Sequence, residues 1–262
     1  EGVFVQDVEG RRLLDGLAGI WCVNVGYGCR EIVDAVHDQM LRLPFYPSFF
    51  NSSTEPPILL AARLAELAPP RLNHTIFSSS GSEANDTAIK LVWYVNNALG
   101  RPQKKKIISR QRAYHGVTIA SGSLTGLAFA HTDFDLPIAR FLHADCPHYY
   151  RGGKPGESEE AFAERLATSL EQLILREGPD TVAAFFAEPV MGAGGVIVPP
   201  PTYFDRVQPI LKKYEILFVA DEVICGFGRT GRAFAAQSFG VVPDVITMAK
   251  AITNGVQPMG AV

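Results

Sequence analysis

The chain has 262 residues, of which 47% are hydrophobic and 19% are charged, and its formal net charge is −3. This length can bury the core of one large domain, and the charge argues against nucleic-acid or anionic-membrane partners. The sequence contains no run of the roughly 18 apolar residues that would span a bilayer. Four cysteines without paired spacing favour a reducing compartment and predict a cytoplasmic location.

Both ends of the chain read as strands. The first residues, GVFVQDVEG, predict a strand that runs into a turn at Glu9-Gly10, and the last ones, PMGAV, predict another. We therefore expect the chain to be a fragment, truncated at both ends.

Two helices are predicted in the first half of the chain. Residues 58–67 place apolar side chains on one face, and Thr54 can cap the helix they form. Residues 83–99 predict the second helix, which ends before Gly100. Its apolar stripe consists of Ala84, Ala88, Leu91, Val92, Val95 and Leu99.

Two more helices are predicted in the second half. Residues 159–176 follow Ser158, a suitable N-cap, and begin with two glutamates. Residues 202–214 begin with Thr202 and Asp205 at the spacing of a capping box.

Short apolar runs lie between these helices and predict strands. Strands that alternate with helices indicate crossover connections, hence a mostly parallel sheet with ligands bound beyond the carboxyl ends of its strands. The runs are HTIF, KKIIS, RFLHA, VAAFFAE, ILFVAD and VITMAK.

The last three runs each end on an ionisable residue, Glu188, Asp221 and Lys250. One charged strand end has little meaning, because chains meet water there. Three in succession predict a polar site at a single edge of the sheet.

Two further segments predict ligand contacts at the same edge. FSSSGSEAND joins a strand to a helix, so Gly81 and Ser82 predict an anion site at the start of that helix. The alternative is a serine N-cap without a ligand. Tyr114, after the next strand, offers an aromatic face, although packing is the alternative for it. FSSSGSEAND matches neither the P-loop motif nor the glycine motif of dinucleotide-binding proteins.

A small aromatic aldehyde that carries a phosphate would use all of these groups. Lys250 would form a Schiff base with the aldehyde, Asp221 would hold a protonated ring nitrogen, and the start of the helix would hold the phosphate.

Five segments resemble the class III pyridoxal-phosphate aminotransferases of fold type I: SSSGSEAND, AYHG, AEPV, VADEVICGFGRTG and AKAITNGVQPMGAV. LLDGLAGIWCVNVGYG is similar to their ω-amine and β-alanine–pyruvate branch. The resemblance implies a three-layer α/β/α fold with a mostly parallel sheet, the large domain of the aspartate-aminotransferase-like transferases. It also implies that residues 1–44 belong to a small domain and residues 45–262 to the large cofactor-binding domain, with the C-terminal small domain absent.

The resemblance implies a role for each candidate residue. Lys250 and Asp221 would be catalytic, Val223 would pack under the cofactor ring, and Tyr114 would stack on its other face. Glu188 would lie near the cofactor, Gly81 and Ser82 would contact the phosphate, and Trp21 would line the substrate entrance. Ile224-Cys225 replaces the Gln-Thr of several relatives, so a polar contact to the ring oxygen is expected to be missing.

The activity implied is amino-group transfer from an amine or ω-amino acid to a keto acid such as pyruvate, with pyridoxal 5'-phosphate as cofactor. The family also implies a homodimer whose subunits both contribute site residues. A threonine from the partner and an arginine that receives carboxylates are expected beyond Val262.

Three other functions stay open. A decarboxylase or aminomutase could use the same scaffold, and a binding protein could keep the fold without catalysis. His143, Cys146 and His148 could hold a metal, but such a close set without a second ligand pair favours a loop thiol and histidines, so we expect no metal.

Overall fold

The computed structural model describes residues 1–48 and 50–262. Its strands are β1 (Phe4–Gln6), β2 (Arg12–Leu14), β3 (Phe77–Ser78), β4 (Lys106–Arg110), β5 (Phe141–Ala144), β6 (Val182–Ala187), β7 (Leu217–Asp221), β8 (Val245–Thr247) and β9 (Gly260–Ala261).

The helices alternate with these strands over most of the chain. They are α1 (Ala18–Trp21), α2 (Arg30–Arg42), α3 (Glu55–Leu67), α4 (Gly81–Ala98), α5 (Ile119–Leu124), α6 (Tyr149–Gly152), α7 (Glu159–Glu177), α8 (Tyr203–Lys213) and α9 (Ala235–Ser238). No helix within residues 1–48 and 50–262 combines the length and the apolar character needed to cross a membrane.

Five parallel strands form the central sheet in the order β5-β4-β6-β7-β8. Successive residues of a strand point to opposite faces, so Phe185 packs with α7 and α8 while Phe186 packs with α4 and α5. Helices therefore cover both faces of the sheet, and the predicted three-layer α/β/α fold is confirmed.

The sheet is extended at the β8 side by an antiparallel pair. β3 pairs with β9, and backbone hydrogen bonds of 2.9 Å in both directions join Met248 to Ala261. The predicted strand HTIF is thus shorter and later than expected, since β3 begins at Phe77.

The N-terminal segment consists of the antiparallel β1–β2 hairpin, α1 and α2. α2 was not predicted from the sequence, and it has no buried residue. α1 is a single left-handed turn, because Ala18, Gly19, Ile20 and Trp21 all have φ between +51° and +60°. The division into residues 1–44 and 45–262 stays a prediction.

The helix predictions are confirmed in position but not in every detail. Ser158 caps α7 by accepting a hydrogen bond from Ala161 N–H (3.2 Å). The capping box at Thr202 is wrong, because its hydroxyl is buried and makes no hydrogen bond in the described part of the chain. The stripe on α4 is partly wrong as well. Val95 and Leu99 are exposed, whereas Asn85 is buried.

Candidate active site

A cavity of about 310 Å³ lies where β6, β7 and β8 end and α4 begins. Strand polarity explains this position, since the carboxyl ends of parallel strands meet at one edge of the sheet. Seven of the eight predicted site residues line it: Gly81, Ser82, Tyr114, Glu188, Asp221, Val223 and Lys250.

Asp221 is buried at the last position of β7 and accepts three hydrogen bonds. Oδ2 lies 2.8 Å from Asn85 Nδ2 and 2.7 Å from His115 Nδ1, and Oδ1 accepts from Val223 N–H at 3.0 Å. These donors fix the plane of the carboxylate, which also faces the cavity.

Asn85 and Thr247 also belong to the site, although the sequence motifs did not identify them, and His115 was expected to have no chemical role. Asn85 donates to His115 O (2.7 Å) as well as to Asp221, and it accepts from Thr247 Oγ1 (2.8 Å). The available signal was a polar residue within the apolar face of a helix, because a polar side chain there needs buried partners.

The start of α4 forms one wall of the cavity. Ser80 caps the helix by accepting from Glu83 N–H (3.2 Å). The N–H groups of Gly81 and Ser82 have no acceptor within residues 1–48 and 50–262, so they are available to an anion in the cavity. Ser82 Oγ accepts from Val117 N–H (3.1 Å), which leaves its own proton to donate.

Lys250 lies in a tight turn after β8. Its φ of +53° is rare for a residue with a side chain, and Gly255 N–H donates to its carbonyl at 3.2 Å. Asn254 fixes this turn to the N-terminal segment, since it accepts from Val25 N–H (3.0 Å) and donates to Gly26 O (2.9 Å). Nζ of Lys250 has no hydrogen-bond acceptor in the described ranges of the chain.

Glu188 is buried directly after β6 and holds two loops together. Its carboxylate accepts from Tyr114 N–H (3.1 Å) and from Gly192 N–H (2.8 Å). Burial raises the pKa of Glu188 because the charged form loses its hydration. The side chain thus positions the backbone of Tyr114 at the rim of the cavity.

A model of the class-III aminotransferases matches residues 1–262. The chain belongs to this family. Its relatives include gamma aminobutyrate transaminase 1 of Solanum lycopersicum, with 55% identity over all of this chain and 51% of the relative. Vanillin aminotransferase of Capsicum chinense is 54% identical over all of this chain and 57% of its own length. The chain thus spans about half the length of the curated relatives it matches.

Solved aminotransferases have the same fold. An omega transaminase from Pseudomonas jessenii, in complex with PMP, has a TM-score of 0.98 and 52% identity over all of this chain and 58% of its own.

The predicted cytoplasmic location is contradicted by the relatives, since gamma aminobutyrate transaminases 1 and 3 of Solanum lycopersicum are named mitochondrial and chloroplastic.

The cofactor of class-III aminotransferases is pyridoxal 5'-phosphate, and the cavity fits it on three observations. Lys250 supplies an amine without a hydrogen-bond partner in the described residues, and the start of α4 supplies two N–H groups for the phosphate. The third observation is that the cavity wall is tightly packed at Gly81. A Cβ added there would lie 3.1 Å from both methyl groups of Val223.

Next to Val223, the chain has the Ile224-Cys225 pair that the sequence shows. Ile224 lines the cavity, and Cys225 points away from it, donating to Val190 O at 3.1 Å. Burial raises the pKa of the Cys225 thiol, so it stays protonated. Neither side chain offers the polar contact that Gln-Thr would supply.

Trp21 is the predicted site residue that does not line the cavity in the described part of the chain. Its neighbour Cys22 does, at the end of the left-handed turn α1. Asp15 holds this turn by accepting from Gly19 N–H (2.7 Å) and from Tyr27 OH (2.6 Å). The role of Trp21 at the substrate entrance stays a prediction.

The residues of the metal alternative have separate partners. His143 Nε2 lies 3.1 Å from Thr125 O, and Cys146 Sγ lies 3.9 Å from Met191 Sδ. No cluster of three potential metal ligands occurs in residues 1–48 and 50–262.

Proposed function

We propose that this protein is a pyridoxal-phosphate-dependent aminotransferase that moves an amino group from an amine or ω-amino acid to a keto acid such as pyruvate. The observation that carries the proposal is the meeting of Lys250, Asp221 and the start of α4 in one cavity. A lysine amine, a carboxylate and an anion-binding helix start together suit this cofactor and few other ligands.

Each residue of the cavity has a role in the proposal. Gly81 and Ser82 bind the phosphate through their N–H groups, and the Ser82 hydroxyl adds a further donor. Tyr114 and Val223 cover the two faces of the ring. Asp221 accepts a hydrogen bond from the protonated ring nitrogen. The catalytic residues are therefore Lys250 and Asp221, and the others bind and orient the cofactor.

When bound, pyridoxal phosphate supplies a carbonyl carbon that takes up the amino group and a ring that stores an electron pair. Lys250 Nζ would take the proton from the donor carbon as a general base and, as a general acid, would pass it to the former carbonyl carbon of the cofactor, not back to the donor. The absence of a partner for Nζ within the described residues leaves it free for this transfer. Glu188 keeps Tyr114 in place and does not move a proton.

The names of the relatives favour an ω-amino acid such as γ-aminobutyrate as the donor. Trp21 is proposed to line the substrate entrance beside Cys22.

The organellar names of several relatives support an organellar location. We further propose a homodimer in which both subunits complete each site, and a large domain that begins at residue 45.

The test uses the full-length protein loaded with pyridoxal phosphate and a panel of amines without keto acid. We expect the visible band of the cofactor to bleach with at least one amine and to return when pyruvate is added. Release of CO2, or turnover that needs no keto acid, would instead support a decarboxylase or an aminomutase. A protein that takes up no pyridoxal phosphate would overturn the proposal.

A further inference from the structure

Asn85 is a buried carboxamide between α4 and the sheet edge, and its exposed fraction is 1%. Both protons of its amide group are used, one by His115 O at 2.7 Å and one by Asp221 Oδ2 at 2.8 Å. Its oxygen accepts from Thr247 Oγ1 at 2.8 Å. Such a complete set of partners is expected where a buried polar side chain is retained.

The partners of Asn85 leave only one orientation of its amide. A carboxylate and a backbone carbonyl can only accept hydrogen bonds, so the NH₂ group must face Asp221 and His115. The oxygen then faces Thr247, whose hydroxyl must donate. A flipped amide would bring its oxygen against two acceptors, so the Thr247 proton and the Asp221 carboxylate select the same orientation.

Thr247 is well placed to hold this orientation. It is fully buried at the end of β8, and its Cα is the direct partner of Asp221 Cα on β7. Its carbonyl accepts from Glu222 N–H at 2.8 Å, which ties the two strand ends together. Loss of the hydroxyl would leave the Asn85 oxygen buried without a donor, and such an unpaired group is costly.

We propose that Thr247 and Asn85 form a relay of positioning residues that orients the Asp221 carboxylate and so sets how tightly the ring nitrogen of the cofactor is held. The relay rests on the proposed function, because it acts through Asp221. Neither residue is assigned a proton transfer.

The test compares Thr247→Val with Thr247→Ser in the full-length protein. Pyridoxal phosphate is titrated into the apoprotein, and its ring nitrogen, labelled with ¹⁵N, is followed by NMR. Thr247→Val removes the donor at nearly constant shape, so we expect about tenfold weaker cofactor binding and a ¹⁵N shift towards that of an unprotonated ring. Thr247→Ser keeps the donor and should match the wild type in both measurements.

Asn96→Ala is the matched control, since Asn96 is a second buried asparagine on α4 that donates to Val92 O. It should lower thermal stability without moving the dissociation constant or the ¹⁵N shift. If Thr247→Val behaves like this control, the relay is overturned.

Two further outcomes are decisive. If Thr247→Val does not fold, Asn85→Leu replaces it, because this change keeps the approximate size of the side chain and removes the amide that donates to Asp221 Oδ2. We expect weaker binding and a ¹⁵N shift in the same direction as for Thr247→Val, and values equal to those of the wild type would overturn the relay. A wild-type protein that binds no pyridoxal phosphate would overturn the proposed function, and the relay with it.

Discussion

His115 Nδ1 lies 2.7 Å from Asp221 Oδ2, and both side chains are buried. Since a carboxylate only accepts, Nδ1 carries the proton in this contact, and Nε2 has no partner in the part of the chain that the structure describes. The edge of the ring packs against Phe186, with centroids 6.3 Å apart. Within the described residues, the side chain of His115 therefore makes its only hydrogen bond to Asp221, and this bond orients the carboxylate.

Replacement of His115 by alanine should lower kcat/KM by about 10- to 100-fold, the range expected when a hydrogen bond to a charged group is lost. His115→Asn should restore most of the rate, because its amide N–H can replace the Nδ1 donor. The check is to compare the single-turnover rates of both variants with that of the wild type, using the full-length protein and an amine donor. An asparagine variant as slow as the alanine variant would show that this contact does not support catalysis.

Lys250→Met should reduce turnover by at least about 100-fold, because the general base is removed. Non-covalent uptake of pyridoxal phosphate should persist, since the other cofactor contacts remain. After borohydride treatment and denaturation, the wild type should retain the cofactor and the variant should release it. Lys90→Met, an exposed position on α4, serves as the control and should behave as the wild type. Near-normal turnover of Lys250→Met would refute the assignment.

Gly81→Ala tests the packing at the phosphate end of the cavity. Its Cβ would lie 3.1 Å from both Val223 methyl groups, so Val223 or the start of α4 must shift. Overpacking of this kind costs about 1–3 kcal/mol, and we expect about tenfold weaker cofactor binding in an equilibrium titration. Gly16→Ala is the control, because a Cβ there meets no atom within 4 Å. Equal affinities of the two variants would mean that Gly81 does not shape the site.

The order of the sheet strands, four of the helices and most of the cavity could be predicted from the sequence. Apolar runs that end in Glu188, Asp221 and Lys250 identify three strand ends, and parallel strands necessarily bring such ends to one edge. Asn85 lies within the apolar face of α4, so helix periodicity can mark it as a polar residue in an apolar stripe but cannot identify its partners. Its partners are His115 in the loop after β4, Asp221 at the end of β7 and Thr247 at the end of β8, all distant in sequence.

The left-handed turn α1 was also beyond sequence patterns. Ile20 and Trp21 disfavour positive φ, and the turn persists because Asp15 accepts hydrogen bonds from Gly19 and Tyr27. Thr202 shows the converse, since it fits a capping pattern that the structure does not form. In both cases tertiary contacts override the local preference.

Glu222 follows Asp221 but points away from the cavity and is fully buried. It accepts from Ala236 N–H (2.6 Å) and Ala235 N–H (3.0 Å). Burial outweighs these bonds and raises the pKa of Glu222 from 4.5 to about 7. Between these two values the folded protein holds a proton that the unfolded chain has released, so this group makes the free energy of unfolding fall as pH rises.

Glu222→Gln removes this titration and should flatten the pH dependence of stability. The rise of the Glu222 pKa from 4.5 to about 7 corresponds to about 3 kcal/mol, which the wild type loses as pH rises through this window. The urea midpoint of the full-length protein, measured from pH 5 to 8, should fall more steeply in the wild type than in the variant. Glu157→Gln is the control, because Arg165 lowers the pKa of Glu157 to about 2, below the measured range. Parallel slopes for wild type and Glu222→Gln would show that Glu222 is ionised in the folded protein throughout.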